Sequence, residues 1–377
     1  TAIGNNALGA NTGSLNTAVG SHALASNIAA GYNTAVGYNA GGAITTATSN
    51  TLIGASAGDA VVGAGNNTAV GYLAGVAITT GGDNTAIGKD ALAALTTGDN
   101  CIAIGVDTMD AATTATNTVA VGNGALGANT TASNNVAVGH AALAANTTGG
   151  DNTAVGKNAL TACTTSGAYN TAVGKDSLEG NTTGTFNTGA GQRSGEGCTT
   201  GTKNVFISNY SGAAITTGNY NIYVGSDATA SGSGVEDEVV IGYNATGKGS
   251  NTAFLAPQSG SVYNSGNTTT WNQTSDRRIK KDITPSIKGL QEINQITPCT
   301  FYYKSDEELN EIPEFEGCKE NLPQDVLTTS AIAQDVQKVF PEAVTERNDY
   351  GMLAVQPDPI MWAMVNAIKE LSAEVAE

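Results

Sequence analysis

Proline and charge are nearly absent from the first two thirds of this 377-residue chain. All 8 prolines lie at Pro257 or later, whereas 43 of the 48 glycines precede residue 251. The formal net charge is −17 and lysine and arginine are few, so nucleic-acid binding, which needs clustered basic residues, is excluded as a function class. The uneven distribution of proline and glycine indicates that two kinds of structure are joined, with a boundary between residues 243 and 275.

Paired cysteines are also lacking. The five cysteines are Cys101, Cys163, Cys198, Cys299 and Cys318. Their number is odd and no two of them form a C-x-x-C pair, which argues against a disulfide framework and against a zinc site. Free thiols fit assembly in a reducing cytoplasm. The two histidines, His22 and His140, have no ligand spacing, so we expect no metal and no cofactor.

Long apolar runs are missing as well. No stretch of 18 apolar residues occurs, and the sequence predicts no membrane insertion. The chain has no initiator methionine and no signal peptide, and Thr1 lies inside a repeat. We expect the chain to be the C-terminal part of a longer protein.

A repeat fills the first 242 residues. Its core phrase is N-T-A-V-G, as in Asn16–Gly20, and fifteen copies or variants follow one another. The period is 17 residues, except for 16 once and 18 once. The residue before the glycine is Val or Ile in all copies but one, and many copies carry Thr-Thr eight residues after it.

This pattern predicts a β-solenoid with one turn per repeat. The alternation is short and interrupted by glycine, which favours strands over helices. We expect Val and Ile of adjacent turns to stack into a narrow core and Asn, four residues before the glycine, to form a ladder. Glycine is expected at positive φ in each corner, and the residue after it at the surface. The predicted shaft is 1–242, followed by a connector at 243–274 that contains Tyr263 and Trp271.

The repeat resembles the β-roll heads of trimeric adhesins, which also repeat short S/N-x-A-I/V-G units. The resemblance covers residues 1–242, with a longer period in this chain. Adhesins of that kind end in a membrane anchor, and no segment of this sequence resembles one.

Residues 275–377 differ in character and carry four ordered motifs. The first is S-D-x-R-I-K-x-x-I, from Ser275 to Ile283. "GLQEINQITPCTFYY" starts at Gly289, "AIAQDVQKVFPEAV" starts at Ala331 and "MVNAIKEL" starts at Met364. This order resembles the intramolecular chaperone domain of endosialidase-type phage tailspikes and tail fibres, a family of self-cleaving peptidases.

The resemblance implies an α+β domain that folds with two copies of itself, templates a trimeric fibre and then cuts itself off. Cleavage would fall between Thr274 and Ser275. Ser275 would be the nucleophile and Lys280 the general base, whose pKa must be lowered by burial for this role. Asp276, Arg277 and Arg278 would support the loop. Without the family, Ser-Asp is a common helix N-cap and a basic cluster is commonly a solvated face.

The last helix carries its own signal for oligomerisation. An a/d heptad seam is formed by Met361, Met364, Ile368, Leu371 and Val375. The alternative is a single amphipathic helix that packs this stripe on its own domain.

The sequence thus predicts a homotrimeric phage tail fibre, located in the virion and assembled in the host cytoplasm, that binds a host cell-surface glycan or protein receptor. Three alternatives stay open. A bacterial adhesin stalk has similar repeats, and a glycan-degrading tailspike needs a carboxylate cluster that the repeats do not locate. An ice-binding solenoid would need uninterrupted Thr ladders, and this one is broken at Asp59–Val62.

Overall fold

The computed structural model describes residues 1–256, 262–265, 281–313, 327–346 and 353–376. The chain divides into two compact units, Thr1–Thr274 and Ser275–Glu377, whose common boundary lies outside these ranges. Each unit is described by itself. The domain limits inferred from the sequence, 1–242, 243–274 and 275–377, stay predictions.

The first unit is a β-solenoid with one short strand in each turn. Its strands are β1 Ala2–Ile3, β2 Thr17–Val19, β3 Thr34–Val36, β4 Thr51–Ile53, β5 Thr68–Val70, β6 Thr85–Ile87, β7 Ile102–Ile104, β8 Val119–Val121, β9 Val136–Val138, β10 Thr153–Val155, β11 Thr171–Val173, β12 Thr188–Ala190, β13 Val205–Ile207, β14 Ile222–Val224, β15 Val239–Ile241, β16 Thr252–Leu255 and β17 Val262–Ser265. Strands β1–β16 are parallel and stack in chain order, and β17 pairs antiparallel with β16. The predicted solenoid is confirmed.

The register of the strand pairing follows the 17-residue repeat. Ala18 of β2 pairs with Ala35 of β3, 17 residues further on, and equivalent residues pair along the stack. The fifteen predicted copies correspond to β1–β15. A sixteenth parallel strand, β16, follows after a shorter turn in which Ile241 pairs with Leu255. Its sequence, TAFL, lacks the glycine that ends the other copies, which is why the repeat pattern did not include it.

The expected Val and Ile core is wrong. The middle residue of each strand from β2 to β15, Ala in most turns, is the buried one, while the Val or Ile before the glycine lies at the surface, as for Ile53 with 39% exposure. In a strand, neighbouring side chains point to opposite faces, so only one of the two can face inward. Small Ala side chains leave room for Leu, Ile or Met from the following loop, such as Leu92 and Leu95.

The asparagine ladder is confirmed, although its main link differs from the expected one. Asn16 accepts from the backbone N–H of Asn33 at 2.9 Å, and Asn33 accepts from that of Asn50 at 2.9 Å. The side-chain amide of Asn33 donates to the Ala47 carbonyl at 2.8 Å. Each amide therefore joins one turn to the backbone of the next, and direct amide–amide bonds occur only in some turns, as between Asn50 and Asn33.

The corner glycines have the expected positive φ. Gly88 has φ +132°, and a Cβ there would lie 2.2 Å from the carbonyl oxygen of Gly105 in the next turn. Glycine is thus required both by the backbone angle and by the close approach of the stacked turns. Ser208 occupies the equivalent corner with φ 98°.

The last turns of the solenoid have an aromatic core and a buried carboxylate. Glu238 stands where other turns have the ladder asparagine and is fully buried. It accepts from the Tyr223 hydroxyl at 2.9 Å and from the backbone N–H of Gly249 at 2.8 Å. Burial, with Glu238 beside it, raises the pKa of Tyr223. Phe206 and Tyr223 stack within this core at 5.8 Å between ring centroids.

The second unit is a small α+β module. Its elements are α1 Leu290–Ile293, β18 Pro298–Phe301, α2 Asp306–Asn310, β19 Thr328–Ala331, α3 Ala333–Val339, a 3-10 turn Pro341–Ala343, β20 Val344–Glu346, β21 Leu353–Val355 and α4 Pro357–Ala376. Strands β18 and β19 pair antiparallel, and so do β20 and β21. The buried core consists of Val336, Phe340, Ala343, Val344 and Ala363.

Candidate functional site

The predicted cleavage motif lies outside the described residues. This applies to Thr274, Ser275, Asp276, Arg277, Arg278 and Lys280. The proposed nucleophile and base therefore stay predictions. Description resumes at Lys281, directly after the motif, so the structure shows how the chain that leaves the motif is held.

Hydrogen bonds join the backbone of this segment to side chains of α4. The side-chain amide of Asn366 in α4 donates to the carbonyl oxygens of Ser286 at 3.2 Å and of Lys288 at 2.9 Å. Glu370, one turn further along α4, accepts from the backbone N–H of Leu290 at 2.8 Å. Asn366 and Glu370 are four residues apart and so lie on one face of the helix. The chain is thus fixed to α4 within a dozen residues of the predicted cleavage site.

Lys288 joins the same segment to the core. Its ammonium group donates to the Val339 carbonyl at 2.6 Å, pairs with the Glu342 carboxylate at 3.0 Å and lies 4.6 Å from the centre of the Phe340 ring. A hydrogen bond from its own backbone N–H, together with the one from Lys288, holds the pKa of Glu342 below its usual range. Lys288 is therefore committed to structure, and the base expected from the sequence is a different residue, Lys280.

The predicted heptad seam of α4 is exposed. Met361, Met364, Ile368, Leu371 and Val375 all lie at the surface, and Ile368 is 64% exposed. The helix buries Ala363 and Ala367 instead. The helix does pack on its own domain through Ala363 and Ala367, as in the alternative interpretation, but this packing leaves the predicted seam at the surface. An apolar stripe of this length that no described residue of the chain covers marks an interaction surface.

The solenoid carries a second apolar surface, the sheet stripe, which consists of the outward side chains of the first and third residues of strands β2–β15. These positions hold only Thr, Val, Ile and one Ala, so the stripe has no charge. Nine large side chains of its third-residue column are 36–44% exposed, including Val36 and Val173, and the remaining Val residues, such as Val19, are less exposed. Sequence reasoning missed the stripe because it placed Val and Ile inside the solenoid.

Its dimensions exceed an ordinary surface patch. Fourteen strands stacked at about 4.8 Å make a stripe roughly 60 Å long. Its width of two residues, about 7 Å apart, gives an area of several hundred Å², which monomeric soluble proteins rarely expose without a partner.

Other kinds of site have no support among the described residues. They contain no cluster of three or more His, Cys, Asp or Glu side chains that could hold a metal ion. No helix in the described ranges is long and apolar enough to cross a membrane. The three buried solenoid thiols, Cys101, Cys163 and Cys198, have pKa values raised by burial to about 11, 12 and 11, so they are unreactive thiols of the core.

Comparison with known families gives one match. Residues 275–345 match the model of a family described as chaperone of endosialidase. The matched range contains the first three motifs of the C-terminal module, whereas "MVNAIKEL" in α4 lies beyond it. No curated protein and no solved structure matches the chain.

The match shows that the C-terminal module is similar to endosialidase-type chaperones over residues 275–345. Together with a solenoid of 17-residue turns it fits a tail fibre with a C-terminal chaperone domain. The family indicates a phage tail protein and implies homotrimer assembly.

Proposed function

We propose that the solenoid is the shaft of a trimeric phage tail fibre that attaches the virion to its host. In this proposal the C-terminal module templates the trimer in the host cytoplasm and then releases itself by cutting between Thr274 and Ser275. The receptor is a glycan or a protein of the host surface. The observation that carries the proposal is the match of residues 275–345 to the chaperone family directly after a repetitive solenoid.

Two apolar surfaces support trimer formation. The heptad seam of α4 and the sheet stripe are both exposed, and no described residue of the same chain covers them. A short α4 seam can bring three chains together first. The stripe can then be buried along the shaft, which stabilises the fibre by roughly 25 cal/mol for each Å² of apolar surface removed from water.

The cleavage chemistry follows from the motif. The Ser275 hydroxyl gives its proton to Lys280 and attacks the carbonyl carbon of Thr274, the residue before it. The Thr274–Ser275 amide bond breaks, its nitrogen takes up the proton as the new α-amino group, and an ester remains between the two residues. Water then hydrolyses the ester. Lys280 can accept the proton only where burial lowers its pKa, so trimer assembly would couple folding to cutting.

The test is a gel of the recombinant protein with and without boiling, combined with mass spectrometry. We expect a heat-sensitive trimer band and a released fragment that begins at Ser275. Ser275→Ala should stay full-length and still form trimers. Lys280→Ala and Lys280→Arg should both stay uncut, because arginine keeps its proton.

Lys281→Ala is the matched control, since Lys281 is the adjacent cation and is exposed. It should be cut like the parent chain. A new N-terminus elsewhere than Ser275, or normal cutting in Lys280→Ala, would contradict the proposed mechanism. Monomers of the uncut Ser275→Ala chain would contradict the templating role.

A further inference from the structure

Two rows of side chains, most of them at least partly exposed, border the sheet stripe, one at each end of the strands. The upstream flank is the residue five positions before each corner glycine, and the downstream flank consists of the two residues directly after that glycine. In the turn with corner Gly156, for example, Asp151 is on the upstream flank and Lys157 on the downstream flank. Ser208 takes the place of the glycine in one turn.

The two flanks match each other turn by turn. Every basic residue on the downstream flank shares its turn with an acidic or aromatic residue on the upstream flank. The pairs are Lys89 with Asp83, Lys157 with Asp151, Lys175 with Tyr169 and Arg193 with Phe186. The one basic residue on the upstream flank, Lys203, shares its turn with Tyr210. Opposite charges and cation–π partners are thus placed at equal height.

These pairs do not form within one chain. A strand of three residues, about 10 Å long, separates the flanks. The ion pairs of the downstream cations stay on their own side of the strand, as Lys175 with Asp176 at 3.3 Å and Arg193 with Asp176 at 3.7 Å. Within the described ranges, no ion pair joins Asp151 to Lys157.

The upstream flank is also a costly place for aromatic residues. All its members have left-handed backbone angles, for example Tyr169 with φ 59° and Phe186 with φ 58°. Asn and Asp tolerate this conformation best among residues with a side chain, and four turns have Asn, including those of Asn66 and Asn134. The solenoid alone therefore does not require Tyr or Phe there. Their rings stack on each other 4.8 Å apart and remain more than half exposed.

We propose that the partner of each flank is a second copy of this chain: the upstream flank of one copy contacts the downstream flank of the next copy at the same turn. The inference rests on the proposed trimer. Three sheet stripes that face a common threefold axis bring unlike flanks of neighbouring copies together, because contacts in a cyclic trimer are heterologous. The flank contacts are continuous with the stripe and occur three times in each trimer.

This arrangement sets the register of three repetitive chains. A slip of one turn in one direction brings Lys203 opposite Arg193, and a slip in the other direction brings Asp83 opposite Asp107. When one of three chains slips by a turn, its two interfaces shift in opposite directions, so each of these like-charge contacts forms at one of them, which disfavours the slip. The sheet stripe has no charge and nearly the same side chains in every turn, so it cannot make this distinction.

The test uses pairs of engineered cysteines in the full chain with the Ser275→Ala change, so that all chains stay intact. The matched variant is Asp151→Cys with Lys157→Cys. The mismatched variant is Asp151→Cys with Lys89→Cys, whose positions differ by four turns, about 19 Å along the stack. Both are treated with a short bismaleimide, and covalent trimers are counted on a denaturing gel. The matched variant should give about tenfold more covalent trimer, because the two thiols are held together.

The outcomes separate the inference from the proposed function. If both variants are trimers in solution but link equally poorly, and the thiols at 151 and 157 react freely with a single-headed maleimide, the flanks face solvent or a receptor and the inference is overturned while the trimer stands. If the chains are monomers, the proposed trimer itself fails. As a second measurement, Lys157→Asp should lower the melting temperature of the trimer, and adding Asp151→Lys should restore it. Absence of this rescue in a well-formed trimer also overturns the inference.

Discussion

The two units of this chain solve the problem of burying apolar surface in different ways. The solenoid forms its core from neighbouring turns of the same chain, with Ala, Leu and a ladder of buried Asn side chains. The C-terminal module has a small core around Phe340 and leaves the heptad seam of α4 in solvent. A solenoid turn therefore buries its inward side chains mainly against the turns beside it, whereas the module leaves an apolar stripe that the described residues do not cover.

The same difference separates the contacts that stabilise the fold from those that fix how the chains are aligned with one another. Each solenoid turn adds about the same set of contacts, so length changes stability but defines no unique alignment with another copy. The module occurs once in each chain, so three modules can align in one way only. In the proposed function, a chaperone at the end of a repeat is useful for this reason, and the proposed flank pairs would keep the alignment after cleavage between Thr274 and Ser275.

The largest expected effect breaks the repeat itself. Deleting one whole turn, Asn67–Asp83, should leave a shorter but folded solenoid, because Asn84 can take the ladder position after Asn50. Deleting only Asn67–Ala74 should prevent folding, because later strands lose their phase with earlier ones. Solubility and circular dichroism of the two variants check this contrast. Equal behaviour would contradict a structural period of 17 residues.

The second prediction changes the exposed seam of α4 and leaves the solenoid sequence unchanged. Ile368→Glu with Leu371→Glu places charges on the exposed seam of α4 and should abolish trimers, because desolvating carboxylates between helices is unfavourable. The solenoid of each chain should still fold. Sedimentation and circular dichroism together measure the two properties. Lys369→Gln is the control on the same helix and should leave trimers intact, and persistence of trimers in the double variant would contradict the role of the seam.

Sequence reasoning predicted the solenoid well because its signals are local. The corner glycine and the ladder asparagine are readable in a single turn, and the 17-residue period is readable from two neighbouring turns. The inward-facing residue of each strand could not be predicted in this way. Ala18 and Val19 are both apolar, and the larger side chain was assumed to be the buried one. The inward choice depends on the loop, where Leu or Ile already fills the core.

The candidate site was predictable only through a family resemblance. Ser275 and Lys280 carry no local signal that distinguishes them from a helix cap and a solvated basic cluster. The seam of α4 was predictable because heptad spacing is local. The flank pairs combine residues at opposite ends of a strand, and they acquire meaning only once the structure shows that both ends are exposed.

A third prediction sharpens the picture of how solenoid turns fit together. Gly212 and Gly124 both have left-handed backbone angles, φ 71° and φ 63°. A Cβ at Gly212 would lie 2.2 Å from Cδ1 of the Phe206 ring, whereas a Cβ at Gly124 would meet nothing within 4 Å. Gly212→Ala should therefore destabilise the solenoid by about 1–3 kcal/mol more than Gly124→Ala, because the core is overfilled. Denaturant unfolding measures the difference, and equal costs would show that backbone strain alone matters.

The close approach of Gly212 to Phe206 shows why one solenoid turn cannot always be exchanged for another. Phe206 is large at a strand centre that is Ala in most turns, and the loops beside it have Gly195 and Gly212 where other turns have Leu. Leu52 repeats this compensation with Gly41 and Gly58. Large and small residues thus exchange places between strand and loop while the core volume is kept.

The last expected effect concerns the stability of the solenoid at alkaline pH. The buried thiols of Cys101, Cys163 and Cys198 have pKa values of about 11, 12 and 11 in the folded solenoid, against 9.0 for an ordinary thiol. A group whose folded pKa is raised contributes full stability below its unfolded pKa and loses it as pH rises towards the folded value. Each thiol should therefore lower solenoid stability by about 1.4 kcal/mol at pH 10 relative to pH 8. A Cys163→Ala variant should lose about one third of this pH dependence in denaturant unfolding, and a solenoid whose stability is the same at pH 8 and pH 10 would contradict the burial of these thiols.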